Sequence, residues 1–167
     1  MSLHQSFTAM IEHNKGIIYK VANGYCQHKE DRNDLVQEIM VQLWRAFEKY
    51  DEQYQLSTWM YRISLNVAIS FYRKSSKIKE DTTEINDDIL QVNEDLAEQQ
   101  QDENIRLLYQ FIGGLNPLDK AIIILYLESH THQSIADTLG ISQTNVATKI
   151  ARIKHKLKHQ FSNKETK

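Results

Sequence analysis

The only proline of the chain, Pro117, stands directly after Asn116 and two residues before Asp119. That order marks a helix start. Asparagine caps, proline suits the first helical position because its missing N–H would be unpaired there anyway, and the carboxylate sits where the helix dipole favours it. No other proline interrupts the 167 residues, and five glycines are too few for a protein of strands and turns. Long stretches of Leu, Ile, Gln, Lys and Glu favour helix instead. The expected class is all-α.

Periodicity locates the helices. Phe7, Met10, Ile11, Ile17, Ile18, Val21 and Tyr25 recur at helical spacing with an interruption expected near Gly16. A second helix is expected after Asn33 as N-cap, with Leu35, Ile39, Leu43 and Phe47 forming an i, i+4 core stripe. A third starts near Ser57, carries Trp59, Ile63 and Val67 on one stripe, and ends basic at Arg73, Lys74, Lys77 and Lys79. Further along, Gly113 and Gly114 end a helix, and the Asn116 cap opens the next. Thr131 caps a short helix, Gly140 supplies its turn, and Ser142 caps the last one.

Charge divides the chain. Residues 1–79 carry eleven basic and eight acidic side chains, residues 80–104 ten acids and no Lys or Arg, and residues 105–167 nine bases and four acids. The middle stretch reads as a solvated, mobile linker, with a tethered acidic decoy for the basic blocks as the alternative. Two small helical domains joined by an acidic flexible linker are therefore expected. A single cysteine, Cys26, forbids an intramolecular disulfide and a cysteine zinc cage, which suits a reducing compartment. Cys26 itself reads as a buried apolar residue, with a redox-sensing thiol as the other reading. No apolar run reaches membrane-spanning length, so a cytoplasmic location and no membrane insertion are expected.

The stretch from Ser134 to Lys158 carries the chemistry. A short helix, a glycine turn and a second helix have the layout of a DNA-binding helix-turn-helix. With Thr144 at zero and roughly 100° per residue, Val146, Ile150, Ile153 and Leu157 fall at roughly 180–240°. Asn145, Thr148, Lys149, Arg152 and Lys156 fall on the opposite arc, at roughly 40–140°. One side suits burial. The other offers amide, hydroxyl and cationic groups of the kind that pair with base edges and phosphates. A solvated amphipathic helix whose lysines merely complement its C-terminal dipole is the bland alternative.

The segment "LNPLDKAIIILYLESHTHQSIADTLGISQTNVATKIARIKHKLK" resembles region 4 of sigma-70 family RNA polymerase sigma factors. The upstream segment "DLVQEIMVQLWRAFEKYDEQYQLSTWMYRISLNVAISFYRK" is similar to region 2 of the same family, and the two-domain layout resembles its extracytoplasmic-function (ECF) type. The resemblance implies a region 2-like domain over 1–79, a linker over 80–104 and a region 4-like helix-turn-helix domain over 105–167. It implies docking on the clamp of the largest subunit of core RNA polymerase through Asp34, Gln37 and Glu38, and a contact with the flap of the second subunit. For recognition and melting of the −10 element it implies Trp59, Tyr61, Arg62, Asn66, Tyr72, Arg73 and Lys74. Aromatic faces for stacking, polar groups for an extruded base and cations for phosphate are the types a melted strand needs. Trp59 begins the apolar stripe, which argues for the core over a base platform. Asn66 is the better base contact, because a mid-helix asparagine is a poor helix former. For the −35 element the resemblance implies Gln143, Thr144, Asn145, Thr148, Lys149, Arg152 and Lys156. The chain departs from the family at Ala147, where many members carry arginine, and at Ser134, where a capping glutamate is usual.

These expectations make the chain a non-catalytic initiation subunit whose partners are core polymerase, promoter DNA and, as an open question, an anti-sigma factor. The rival is a self-sufficient helix-turn-helix regulator that binds duplex DNA without polymerase. An enzyme is disfavoured: no Walker-type phosphate loop and no H-E-x-x-H occur. His130 and His132 sit at i, i+2, which shares no helix face, so neither a metal nor a cofactor is implied.

Overall fold

The computed structural model describes residues 2–81 and 103–165, so the acidic linker expected over 80–104 lies almost wholly outside the described residues. Among the described residues there are seven helices and no strand: α1 Leu3–Tyr25, α2 Lys29–Phe47, α3 Leu56–Asp81, α4 Glu103–Gly113, α5 Pro117–Leu127, α6 His132–Leu139 and α7 Gln143–Glu165. The all-α expectation holds.

Local chemistry accounts for the helix ends. Ser2 and Gln5 form a reciprocal capping box: the serine hydroxyl accepts from the Gln5 amide at 3.2 Å, and the Gln5 side chain accepts from the Ser2 amide at 3.0 Å. This starts α1 ahead of the first apolar residue of its stripe. The kink in α1 falls at Asn14 rather than Gly16. Asn14 leaves helical geometry (φ −128°, ψ 15°), and its side-chain amide donates to the Met10 carbonyl at 2.9 Å. The start of α2 also differs from expectation. It begins at Lys29 after His28, which makes no side-chain cap, and Asn33 lies inside the helix. Glu30 and Asp31 occupy the first turn, where the dipole stabilises them, and this outweighs the missing cap.

The C-terminal signals hold. The Asn116 side chain accepts from the Asp119 amide at 2.8 Å, and Thr131 from the Ser134 amide at 3.0 Å. Ser142 accepts from the Asn145 amide at 3.0 Å, and Gly140 is left-handed at φ 72° and ψ 33°.

Helices α1 to α3 bury Ile18, Val21, Leu35, Ile39, Leu43, Met60 and Leu65, and α5 to α7 bury Ile122, Ile123, Leu125, Ile135, Val146, Ile150 and Ile153. These two sets join into one continuous core rather than two separate ones. Gly24 of α1 allows the close approach: a Cβ there would lie 2.8 Å from Cδ1 of Ile124 on α5. In α3 the buried face is Met60, Tyr61, Ser64, Leu65 and Ala68, whereas Trp59, Ile63 and Val67 are half-buried. The expected stripe was thus displaced around the helix, because α3 packs on α1 and α2 and on the C-terminal half as well.

Two glycines with open space around them should respond oppositely to alanine. Gly16 has nothing within 4 Å of a built Cβ and lies inside α1, so Gly16→Ala should stabilise by up to about 1 kcal/mol. Gly140 is equally open but left-handed, so Gly140→Ala should destabilise by about 1–2 kcal/mol. Urea midpoints moving in opposite directions at an unchanged slope are the expected result.

Candidate nucleic-acid interface

Helix α7 has two faces. Val146, Ile150 and Ile153 are buried and Leu157 is half-buried, which anchors the helix on α5 and α6. On the other arc Gln143, Thr144, Asn145, Thr148, Arg152 and Lys156 are exposed. The first two turns after Gly140 thus offer amides and hydroxyls, and the later turns offer cations. Lys149 is different. It is half-buried, with Nζ 3.7 Å from Oδ1 of Asp119, the N3 residue of α5. At that separation the pair is a charge attraction rather than a hydrogen bond, and the buried Oδ1 makes no hydrogen bond of its own. Lys154 sits 4.7 Å from the Tyr126 ring centroid. Two of the cations that follow Gly140 therefore brace α7 against α5.

Helix α3 divides the seven residues implied in strand contact between two sides. At roughly 100° per residue, Tyr61 and Tyr72 share an arc with Leu65 and Ala68, whereas Trp59, Arg62, Asn66, Arg73 and Lys74 lie on another. Tyr61 is 3% exposed, with its ring edge-on to His130 at 5.3 Å. The Tyr72 ring lies 4.3 Å from Nζ of Lys120. Tyr61 offers no open face in this arrangement, and Tyr72 is half-buried. The spacing i, i+4, i+7, i+11 through Tyr61, Leu65, Ala68 and Tyr72 was the available signal for this. Asn66, Arg73 and Lys74 are exposed.

What the sequence treats as two separate sites meets in one groove. Asp34, Glu38 and Gln42 of α2 line one wall, Asn66, Ser70 and Lys74 of α3 the other, and Val67 and Phe71 lie between them. Gln42 donates to Glu38 at 3.0 Å, and Gln37 is exposed outside the groove. An acidic wall facing a polar and cationic one over an apolar floor suits an amphipathic helix with basic side chains.

An aromatic cluster joins Tyr50 and Tyr54 of the α2–α3 loop, which the sequence-derived site lacks, to Trp59 and Arg62 of α3, which it contains. Tyr50 lies 4.9 Å from Trp59, ring centre to ring centre, and the Arg62 guanidinium lies 5.5 Å over the exposed Tyr54 ring. Two tyrosines in a loop next to the stripe-opening tryptophan were the signal that could have found it. The half-buried Trp59 belongs to this cluster and touches the core.

Burial governs titration along the line where the two halves meet. It pushes the Tyr25 hydroxyl well above its usual range, and it does the same to Tyr61, with the Glu128 carboxylate and Tyr109 adding to the effect. Tyr109 is raised by burial, opposed by Lys20 and reinforced by Glu128. His130 is lowered by burial, and the Glu128 carboxylate partly offsets this.

Two family models match the chain: Sigma-70 region 2 over residues 10–78 and Sigma-70 region 4 over residues 105–157. The chain is similar to the ECF RNA polymerase sigma factor SigX of Bacillus subtilis, at 24% identity over 87% of this chain and 78% of SigX. It is similar to the RNA polymerase sigma factor SigV of the same organism, at 26% identity over 87% of this chain and 84% of SigV. Among solved structures, the fold is like that of RpoE, a sigma factor in complex with the anti-sigma factor NepR, from Bartonella quintana. There the TM-score is 0.69 at 15% identity, covering 95% of this chain and 96% of that one. It is also like the structure of CnrH in complex with the cytosolic domain of CnrY, with a TM-score of 0.65 at 18% identity over 96% and 90%.

Since burial favours the neutral His130 ring, the folded chain takes up this proton at lower pH than the unfolded chain, whose histidine value is near 6.5. The stabilising effect of the neutral ring is complete above 6.5 and is lost as pH falls towards the lowered folded value. Histidine-resolved NMR titration should place the His130 midpoint below 6.5, and His130→Gln should flatten the fall of stability on the acid side.

Proposed function

Because the chain belongs to the extracytoplasmic-function group of the sigma-70 family and directs RNA polymerase to promoters, we propose a division of labour between its halves. Residues 1–79 dock on the polymerase clamp and engage the melted −10 strand, residues 80–104 tether, and residues 105–167 meet the flap and read the −35 duplex. Sigma factors regulate initiation, and in this reading the chain performs no catalysis of its own: the polymerase does the chemistry. No helix among the described residues is long and apolar enough to cross a membrane, and the site of action is the cytoplasm, where the polymerase meets the chromosome.

One observation carries the −35 assignment. The turn at Gly140 and the buried Val146–Ile150–Ile153 stripe leave Gln143, Thr144, Asn145, Thr148 and Arg152 together on an open face. A recognition helix reads base edges with its first turns. Lys156, further along, serves phosphate. Lys149 already has Asp119 as a partner and reaches DNA as a phosphate contact only by releasing it.

In region 2 the groove between α2 and α3 carries the polymerase assignment. Asp34 and Glu38 supply the negative wall for a basic helix of the clamp, with Gln37 at its edge. Asn66, Arg73 and Lys74 remain open for a displaced strand, and Trp59 joins them through the loop cluster. Tyr61, Arg62 and Tyr72 take part only if the C-terminal half moves. The solved complexes with NepR and CnrY extend the reading to a protein inhibitor of the anti-sigma kind.

Two outcomes test this. Changing Asp34, Gln37 and Glu38 together to alanine should weaken core polymerase binding about tenfold or more, equivalent to about 1.4 kcal/mol. Stability should stay within about 0.5 kcal/mol, because all three side chains are exposed. Unchanged polymerase affinity would remove them from the interface. In the holoenzyme, Arg152→Ala should relax discrimination at one −35 position by about 1–3 kcal/mol. Lys156→Ala should weaken all sequences alike and lower the salt slope by about one. Equal behaviour of the two variants would contradict the assignment.

A further inference from the structure

Helix α5 engages two of the lysines that follow Gly140. Near its start, Oδ1 of Asp119 lies 3.7 Å from Nζ of Lys149, and towards its end the Tyr126 ring centroid lies 4.7 Å from Nζ of Lys154. Asp119 is also tied to the cap of its own helix. Its backbone amide donates to Oδ1 of Asn116 at 2.8 Å, and its Oδ2 accepts from Nδ2 of Asn116 at 3.0 Å. The carboxylate therefore cannot swing away without loosening the start of α5. Its side chain is 13% exposed and that of Lys149 24%. Oδ1 is buried and makes no hydrogen bond, which among the described residues leaves its charge to the Lys149 ammonium.

Lys149 sits on the polar arc of α7 with Thr148 and Arg152, at roughly 140° on the scale that puts Thr144 at zero. A free lysine there would add a phosphate contact. We infer that Asp119 withholds it: the Asp119–Lys149 pair stays closed when α7 meets duplex DNA, so that Lys149 neutralises no phosphate and Asp119 sets how tightly the chain holds DNA of any sequence. The inference rests on the reading of α7 as the helix that enters the duplex. Energetics favour the closed pair. Releasing Lys149 leaves a carboxylate with little access to water, and breaking a buried pair costs more than an exposed ion pair gains. Arg152 and Lys156, both exposed, remain for bases and phosphate.

The consequence is a recognition face with more hydrogen-bonding groups than usable charges. Gln143, Thr144, Asn145 and Thr148 can discriminate at base edges, whereas each added cation holds all sequences alike. By cancelling one cation, Asp119 lowers retention on DNA that is not promoter and keeps more of the chain available to polymerase.

The test measures binding of the full chain to a labelled duplex of mixed sequence, by fluorescence anisotropy over a range of KCl concentrations. Asp119→Asn removes the charge and keeps the backbone bond to Asn116. It should bind roughly fivefold to tenfold tighter at about 0.1 M salt, with the slope of log K against log salt steeper by about 0.9. Asp119→Asn combined with Lys149→Met removes both charges, and it should lose that gain and return to the parental slope. A slope shallower than parental in the double variant would show that Lys149 already neutralises a phosphate, and would overturn the inference. An unchanged slope in Asp119→Asn at native helicity would also overturn it, leaving the pair a structural brace. If the single variant does not fold, the double variant decides alone, because its slope is parental only when Lys149 makes no phosphate contact. In the holoenzyme, selection from promoters randomised over the −35 element should give Asp119→Asn the parental preference. A changed preference would mean that the freed lysine reads a base, and would overturn the claim of sequence-independent affinity. Lys156→Ala is the control for the underlying reading, with an expected slope shallower by about one. An unchanged slope there would overturn the assignment of α7 to DNA, and the inference with it, whatever the pair does.

Discussion

The ammonium of Lys120, 1% exposed and set between the rings of Tyr25 and Tyr72, decides how the two halves of this molecule meet. Withdrawing a charge from water costs several kcal/mol. A desolvated cation–aromatic contact returns about 2 kcal/mol. Both rings contribute to holding it, and they come from α1 and α3, on the far side of the seam. Tyr25 is itself fixed by its bond to the Pro117 carbonyl, at the first turn of the helix that carries Lys120. Apolar contacts such as Ile124 against Gly24 supply area, but a greasy surface can slide. The buried cation cannot move without losing its partners, and so it sets the register.

That register decides which faces of α3 and α7 stay open to solvent. Helix α7 stands outside the seam because its apolar stripe is consumed by α5 and α6, leaving its polar arc to solvent. Helix α3 is crowded on more than one side, so its tyrosines serve the core and Arg62 serves as a cap for α6. The polar arc of α7 is thus open, whereas Tyr61 of α3 is buried and Arg62 and Tyr72 are half-buried. Asn66 and Lys74 also share a groove with Asp34 and Glu38, so the residues proposed for strand contact and those proposed for polymerase contact are neighbours.

Helix starts and stops with side-chain chemistry were legible. Asn116, Thr131, Ser142 and Gly140 are where the residue types demand, since a cap is a contact within four residues and needs no tertiary partner. Asn33 misled because a cap is worth only about 1 kcal/mol, and the acidic first turn of Glu30 and Asp31 compensates for its absence at His28. The stripe on α3 misled for another reason. One apolar stripe implies one neighbour, and a helix packed on three sides buries an arc too wide for any single i, i+4 series. Tyr61 and Tyr72 were legible as aromatic and therefore as stacking surfaces, yet whether a ring faces solvent or a lysine depends on a helix some fifty residues away in the chain.

The sequence alone determined the all-helical class, the C-terminal turns, the buried stripes of α2 and α7 and the exposed arc of α7, because each follows from interactions spanning one or two helical turns. Only the tertiary structure decided that Lys120 is a core residue, that Lys149 is paired with Asp119 and that Tyr61, Arg62 and Tyr72 face the other half. Each of these depends on a contact between helices, where a charged or aromatic side chain takes its role from the partner the fold brings to it.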